Sequence, residues 1–351
     1  MLRIAINGFG RIGRVVARMI LQSEDCELVC INELDPEVNN LAYLLKYDSL
    51  YGRFSGVIEV NSNEKSILCN GKQIRVYSYS KIENVPWESH NIDVVIEATG
   101  VKANVLAARK LLKCGVSKVV VTHSPPIEDV DAIIVLGVNE CSYAADKHHI
   151  ISSSICDAIA IAPVLFEINN TWGVENCFIT TLHPWLSYQN LLDGPVSSIS
   201  SPGHFWNDYA LGRNSTLNLI LKDTTASSAV LKVLPELKGR VDAISFRVPT
   251  NIVSASDLTI ALKREVKIEE INTHFEKISK TKSRVIELER ESLVSMDYLG
   301  TQKSVIIDAK ATKVLNGRMV KMVIWYDNEW GYGSRVLDIA RLVGSKSKKT
   351  L

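Results

Sequence analysis

The chain has 351 residues, more than a single hydrophobic core usually serves, so two domains are expected. Its 40 Lys and Arg against 39 Asp and Glu leave a formal charge of +1, which removes the electrostatic motive for nucleic acid or an acidic membrane as a main partner. The 7 cysteines form no C-x-x-C pair and no apolar run reaches membrane-spanning length, so the expectation is a soluble protein of a reducing cytoplasm, without disulfides or a metal site.

A strand expected at 3–6 runs into Asn7-Gly8-Phe9-Gly10-Arg11-Ile12-Gly13-Arg14 and then a helical pattern to about Gln22. This is G-x-G-x-x-G between a strand and a helix. Its glycines permit a tight turn and close approach of a pyrophosphate, and the helix start supplies N–H donors. A second strand at 28–32 ends at Glu33, about twenty residues past Gly13, where a carboxylate meets an adenosine ribose. No arginine follows Glu33-Leu34-Asp35 to take a 2′-phosphate, which favours NAD over NADP.

Further strands are expected at 94–97, 118–122 and 132–136, with a helix at 104–113; this alternation implies a parallel sheet covered on both faces. His148 and His149 are adjacent ahead of a strand and so point opposite ways, as structural residues rather than a metal pair. Next comes Ile151-Ser152-Ser153-Ser154-Ile155-Cys156-Asp157-Ala158, a β-branched run turning through serines into an Ala/Ile helix with a cysteine at its mouth. Free N–H groups and the helix dipole there favour a thiolate, although a cysteine among Ala and Ile is more often simple packing.

Beyond Cys156 a strand at 176–182 ends at His183-Pro184-Trp185, and an irregular stretch at 186–218 is long enough to suggest a function. A short helix at 228–234, strands at 243–248, 253–262, 305–309 and 319–325, and an amphipathic helix at 268–278 suggest a mainly antiparallel sheet with helices on one face. A last helix at 334–343 is expected to return to the first domain, and Lys346-Ser347-Lys348-Lys349 reads as a solvated tail. The expected architecture is therefore an α/β Rossmann NAD-binding domain (1–155 and 327–351) plus an α+β catalytic domain (156–326).

The N-terminal N-G-F-G-R-I-G-R, Lys46-Tyr47-Asp48-Ser49, the Cys156 stretch, Thr181-Leu182-His183, Leu234-Pro235-Glu236-Leu237-Lys238-Gly239, Arg247-Val248-Pro249-Thr250 and Trp325-Tyr326-Asp327-Asn328-Glu329 occur in this order. With them the chain resembles the glyceraldehyde-3-phosphate dehydrogenase family over nearly its whole length. The triplet Asn32-Glu33-Leu34 looks like that of the sister enzyme erythrose-4-phosphate dehydrogenase. The resemblance implies an NAD-dependent aldehyde dehydrogenase with Cys156 as nucleophile and His183 as its base, and a homotetramer. It further implies that Gly8, Gly10, Arg11, Ile12 and Gly13 hold the pyrophosphate and Glu33 the ribose. Thr99, Gly100 and Thr122 would line the cofactor's middle, Asn328 and Tyr332 the nicotinamide end, and Arg247, Thr224, Arg213 and Ser154 the substrate's phosphates.

The chain also departs from the family. Where the family has Cys-Thr-Thr-Asn, it has Cys156-Asp157-Ala158-Ile159, a carboxylate in place of a phosphate-binding hydroxyl. Two like unit charges about 4 Å apart cost on the order of 4 kcal/mol at an effective dielectric of about 20, and the same charge raises the pKa of a neighbouring thiol. Asp157 also suits a helix start simply as a dipole partner. Leu186, Leu211 and Thr225 replace further phosphate-site residues, and the loop between His183 and Thr224 is longer than the family's. Three readings stay open: a phosphorylating aldehyde dehydrogenase, a dehydrogenase whose thioester is resolved by another nucleophile, and a non-catalytic NAD-binding homologue.

Overall fold

A computed structural model describes residues 1–197 and 207–347, without the side chains of 346 and 347. Part of the 186–218 stretch and residues 348 and 349 of the basic tail lie outside the described residues, while 346 and 347 belong to the last helix. The chain divides into two compact units, residues 1–134, 141–154 and 333–351, and residues 135–140 and 155–332.

The first unit begins with β1 (Leu2–Asn7), the glycine turn, α1 (Arg11–Leu21), β2 (Cys26–Asn32) and α2 (Val38–Lys46). A two-strand ribbon, β3 (Tyr47–Asp48) and β4 (Gly52–Arg53), leads to β5 (Ile58–Asn61), β6 (Ser66–Cys69) and β7 (Lys72–Tyr77). Then come β8 (Val94–Glu97), α3 (Lys102–Ala107), β9 (Lys118–Val121), β10 (Ala132–Ile133) and β11 (Ile150–Ser152). The sheet order is β10-β11-β9-β8-β1-β2-β7-β6-β5. Every pair from β10 to β7 is parallel, and β6 and β5 extend one edge as an antiparallel meander. Strands β1, β8 and β9 are fully or almost fully buried, with aliphatic side chains at consecutive positions in their middles (Ile4-Ala5-Ile6, Val94-Val95-Ile96, Val119-Val120-Val121), because helices cover a parallel sheet on both faces.

Three expectations needed adjusting here. The helix expected at 104–113 is α-helical only to Ala107 and continues as a 3₁₀ segment, Ala108–Cys114, ending at Gly115 with φ +82°. Such tightening brings partners within reach of carbonyls at a helix end. The strand expected at 132–136 pairs only over Ala132–Ile133, because the Val135 N–H goes to Asn139 Oδ1 at 2.8 Å and the chain turns at Gly137. Strands β5 to β7 are not among the expected strands; they span only 4, 4 and 6 residues, too short for the alternation of Ile58 with Val60 and Ile74 with Val76 to stand out.

In the second unit α4 (Cys156–Thr171) is apolar all round and buried along most of its length, as a central helix must be. Around it run β12 (Val174–Pro184), β13 (Ile220–Lys222), α5 (Ala226–Leu231), β14 (Val241–Val248), β15 (Ser254–Leu262) and α6 (Ile268–Thr281). Strands β16 (Ile286–Glu289), β17 (Val305–Asp308), β18 (Lys313–Leu315) and β19 (Met319–Tyr326) complete its sheet, in the order β13-β14-β12-β15-β19-β17-β16 with β18 beside β19. All pairings are antiparallel except β12–β14 and β16–β17. One face of β12 and β14 buries Cys177, Ile179, Thr181, His183, Ser245 and Arg247, while Phe178, Leu182 and Ile244 lie exposed on the other. The final helix, α7 (Trp330–Ser347), starts four residues earlier than expected. Asp327 Oδ1 accepts the N–H groups of Glu329 and Trp330 at 3.0 and 2.8 Å and so caps it.

Candidate active site

The glycine turn sits where the strand order of the first sheet reverses, at the C-terminal ends of β1 and β8. Such switch points are where doubly wound sheets bind ligands. Gly8 has φ +94°, and a Cβ there would stand 2.8 Å from Ala98 C and Thr99 N. A Cβ on Gly10, at the mouth of α1, would instead project into open space. The backbone is thus pressed against its neighbours on one side and clear on the other, which is the cradle a pyrophosphate requires.

Glu33 is held at the end of β2 by two backbone donors, Phe9 N at 2.5 Å and Leu34 N at 2.7 Å. Arg11 pairs with Asp48 Oδ2 at 2.6 Å, so at the turn Arg11 and Ile12 present backbone rather than a free guanidinium. Gly100 takes φ +71°. Thr99 donates both N–H and hydroxyl to Glu97 Oε1, and Thr122 donates N–H and hydroxyl to the Glu97 carbonyl at 3.0 and 3.1 Å.

Glu97 is a residue that sequence reasoning placed only as a strand end. It is fully buried, receives a short hydrogen bond from Asn7 Nδ2, and burial pushes its pKa up to about 7 despite the donors around it. Asn7 Oδ1 in turn accepts from Asn32 Nδ2 at 2.7 Å. The network ties the ends of β1, β2 and β8 together beneath the glycine turn. Its available signal was an acid ending an otherwise Val/Ile strand just before Thr-Gly.

In the second unit, Cys156 is the first residue of α4 and keeps partial exposure. The serine turn before it is strained: Ser154, fully buried, has φ +61°, with its N–H on Ser152 Oγ at 3.0 Å. A non-glycine residue in that region costs on the order of 1–3 kcal/mol. Sγ of Cys156 lies 3.7 Å from His183 Nε2 and 3.9 Å from Asp157 Oδ1. His183 Nδ1 is 2.8 Å from the Pro184 carbonyl, which can only accept. The proton therefore sits on Nδ1, leaving the Nε2 lone pair facing the sulfur.

Burial, then the Asp157 charge, push the Cys156 thiol well above its ordinary pKa, against the N–H groups of α4 and the charge of Arg247, which pull it down. Burial and Arg247 lower His183 to about 4. The resting pair is therefore neutral thiol and neutral imidazole. This corrects the thiolate expected from the helix dipole: loss of solvation outweighs the dipole.

Arg247 stands directly opposite His183 in the β12–β14 register. It is buried, its Nε has no acceptor, and among the described residues no carboxylate pairs with it. An uncompensated buried guanidinium calls for an anionic partner. Thr224 uses its hydroxyl oxygen to accept the Ala226 N–H at 3.1 Å at the start of α5. Arg213 is spent on Asp193, at 2.8 Å in an exposed pair.

Tyr326, at the end of β19, is the other residue not foreseen. Its hydroxyl donates to Asp157 Oδ1 at 2.6 Å and lies 3.1 Å from Ser256 Oγ, all of it buried. Asn328 is buried with its Oδ1 unpartnered, and Tyr332 is buried within α7. The glycine cradle of the first unit fits the pyrophosphate of NAD, which supplies a hydride acceptor when bound.

Comparison with known proteins agrees with this reading. Residues 2–105 match the family model for the glyceraldehyde 3-phosphate dehydrogenase NAD binding domain, and residues 155–328 match that for the glyceraldehyde 3-phosphate dehydrogenase C-terminal domain. The chain is 39% identical to glyceraldehyde-3-phosphate dehydrogenase of Geobacillus stearothermophilus over 98% of both chains. It is 39% identical to glyceraldehyde-3-phosphate dehydrogenase 1 of Bacillus cereus over 99% of both. It is also 39% identical to glyceraldehyde-3-phosphate dehydrogenase 3 of Saccharomyces cerevisiae, over 98% of this chain and 99% of the yeast one. With a Rossmann-type sheet, a glycine cradle and near-complete coverage by these relatives, the chain belongs to the glyceraldehyde-3-phosphate dehydrogenase family of NAD-dependent oxidoreductases.

Proposed function

We propose that the chain oxidises a small phosphorylated aldehyde of the glyceraldehyde-3-phosphate type through a thioester on Cys156, with His183 as general base. The observation that carries this reading is the thiol facing a lone imidazole nitrogen at 3.7 Å, with an unpaired buried arginine in register beside that imidazole. Sγ attacks the aldehyde carbon while Nε2 takes the thiol proton and passes it to the carbonyl oxygen, forming a hemithioacetal and freeing Nε2 again. Arg247 holds the substrate's phosphate. His183 Nε2 then takes the hemithioacetal's hydroxyl proton as the hydride leaves carbon, giving a thioester; NAD, held by the residues named below, would supply the hydride acceptor. Attack by inorganic phosphate on the acyl carbon breaks the C–S bond, releases an acyl phosphate and returns the proton to Cys156.

The cofactor roles follow the family likeness: Gly8, Gly10, Arg11, Ile12 and Gly13 for the pyrophosphate, with the Gly8 N–H itself spent on the Asn32 carbonyl at 2.8 Å, Glu33 for the ribose, Thr99, Gly100 and Thr122 for the middle, and Asn328 with Tyr332 for the nicotinamide. Thr224, Ser154 and Arg213 are assigned to phosphate on the same ground, with Arg213 needing first to leave Asp193. Residues 1–155 and 327–351 serve the cofactor and residues 156–326 the chemistry. Seven free cysteines suit a reducing cytoplasm. The exposed Phe178, Leu182, Leu221 and Ile244 share one sheet face and suit a homo-oligomer, a tetramer by family likeness. Light scattering on wild type and Phe178→Glu tests that assignment: the wild type is expected as an oligomer, and an unchanged mass in the variant would remove the sheet face from the interface.

Asp157 favours a second reading for the last step. Its carboxylate beside Sγ opposes an incoming phosphate, so water would take the acyl group and release a carboxylate. NADH formation with glyceraldehyde-3-phosphate, with and without inorganic phosphate and beside Cys156→Ser, separates the readings. Phosphate-dependent turnover lost in the variant supports acyl phosphate formation, and phosphate-indifferent turnover supports water. Unaltered turnover in Cys156→Ser would overturn both.

A further inference from the structure

We propose that Cys156, Asp157 and His183 together form a capture site for a divalent cation of the Zn²⁺ type, which blocks the nucleophile reversibly. The three side chains offer a sulfur, a carboxylate oxygen and an imidazole nitrogen whose ligand atoms all lie within 4.8 Å of one another. They are the only such cluster among the described residues.

The two edges at sulfur suit tetrahedral Zn²⁺, and the third, between Nε2 and Oδ1, lies within 4.8 Å and closes to about 3.4 Å on binding. With Zn–S near 2.3 Å and Zn–N or Zn–O near 2.1 Å, sulfur sits about 3.6 Å from each of the other two ligands. The observed separations from Sγ are 3.7 Å to His183 Nε2 and 3.9 Å to Asp157 Oδ1. Three protein ligands leave a fourth position for water or a substrate oxygen.

Outer hydrogen bonds hold the ligands ready. The Pro184 carbonyl fixes the Nδ1–H tautomer that turns Nε2 toward the sulfur, and the Tyr326 hydroxyl donates to the same Asp157 Oδ1 that faces the sulfur, holding that oxygen in place. Binding displaces the thiol proton to solvent, so a neutral thiol and a carboxylate become two anionic ligands around a double positive charge. The cation thereby relieves the repulsion that Asp157 otherwise exerts on a thiolate. Asp157 is what distinguishes this cluster from a bare Cys–His pair, which supplies two ligands and no fixed negative charge.

Loss of turnover on metal binding rests on the dehydrogenase reading, but metal capture does not, and the test uses readouts that need no turnover. Zn²⁺ is titrated into the purified full-length protein against a chromogenic chelator, while alkylation of Cys156 by iodoacetamide is followed by mass spectrometry. One Zn²⁺ per chain is expected, with Cys156 protected at stoichiometric metal and alkylation restored by EDTA. Asp157→Asn is expected to weaken binding at least tenfold, and Cys141→Ser, which removes an exposed thiol, to leave it unchanged. Co²⁺ substitution checks the ligand set directly: a thiolate-to-Co²⁺ charge-transfer band is expected in the wild type and in Cys141→Ser. Undiminished affinity in a folded Asp157→Asn would overturn the proposal. So would Zn²⁺ that leaves Cys156 alkylation unaltered, or Co²⁺ that binds without the thiolate band.

Discussion

The glycine cradle of the first unit and the Cys156 cluster of the second are built by opposite means. The cradle is a backbone object: its decisive atoms are N–H groups, and its side chains matter chiefly by being absent, at Gly8 and Gly10. The cluster is a side-chain object assembled from the start of α4 and the ends of β12, β14 and β19. Each holds a buried titratable group moved in the direction that keeps it neutral. Burial raises Glu97 to about 7 and lowers His183 to about 4. Both neutralise, yet they couple to proton concentration with opposite sign.

The largest effects should break the cluster and spare the cradle. Cys156→Ser is expected to lower NADH formation by more than about 10³-fold, and His183→Ala by about 10²- to 10⁴-fold. NAD titration by fluorescence should show both variants binding the cofactor as the wild type does. Loss of NAD binding in either would undo the separation of roles.

The opposite coupling gives the next test. Glu97 has a raised folded pKa, so its contribution to stability is present below the unfolded value of 4.5 and is lost as pH rises toward 7. His183 has a lowered folded pKa, so its contribution is present above 6.5 and is lost as pH falls toward 4. Each displacement is worth on the order of 3 kcal/mol, and between pH 4.5 and 6.5 the two largely offset each other. Glu97→Gln should unmask a stability that rises with pH across that window, and His183→Gln one that falls. Urea unfolding at several pH values measures both slopes, and parallel curves would refute the assignment.

Gly8→Ala should cost about 1–3 kcal/mol, because φ +94° and the 2.8 Å approach to Ala98 and Thr99 admit no Cβ. The loss should show in NAD affinity and thermal stability while Cys156 alkylation stays as it was. The smallest effect is expected at Asp157→Asn without metal. Removing a charge that raises the Cys156 pKa should shift the pH profile of iodoacetamide alkylation downward and speed the reaction at neutral pH. An unshifted profile would mean that burial alone sets the thiol.

The sequence by itself determined what depends on local backbone and on period. G-x-G-x-x-G between a strand and a helix, Glu33 at the end of β2, strands with consecutive aliphatic residues and a serine turn into an apolar helix each have only a few physical solutions. The Rossmann-type sheet, the mainly antiparallel second sheet and NAD followed from them. Tertiary structure decided what depends on neighbours distant in the chain. Asp157 reads equally well as a helix-dipole partner or as a phosphate repellent until Tyr326, 169 positions away, is seen to hold it beside Sγ. Arg247 comes to lie opposite His183 only because β14 runs parallel to β12 in that register. Arg213, implied by the family resemblance alone, pairs with Asp193. The helix dipole promised a thiolate, but the cost of burying charge, which no local pattern records, makes the resting Cys156 a thiol.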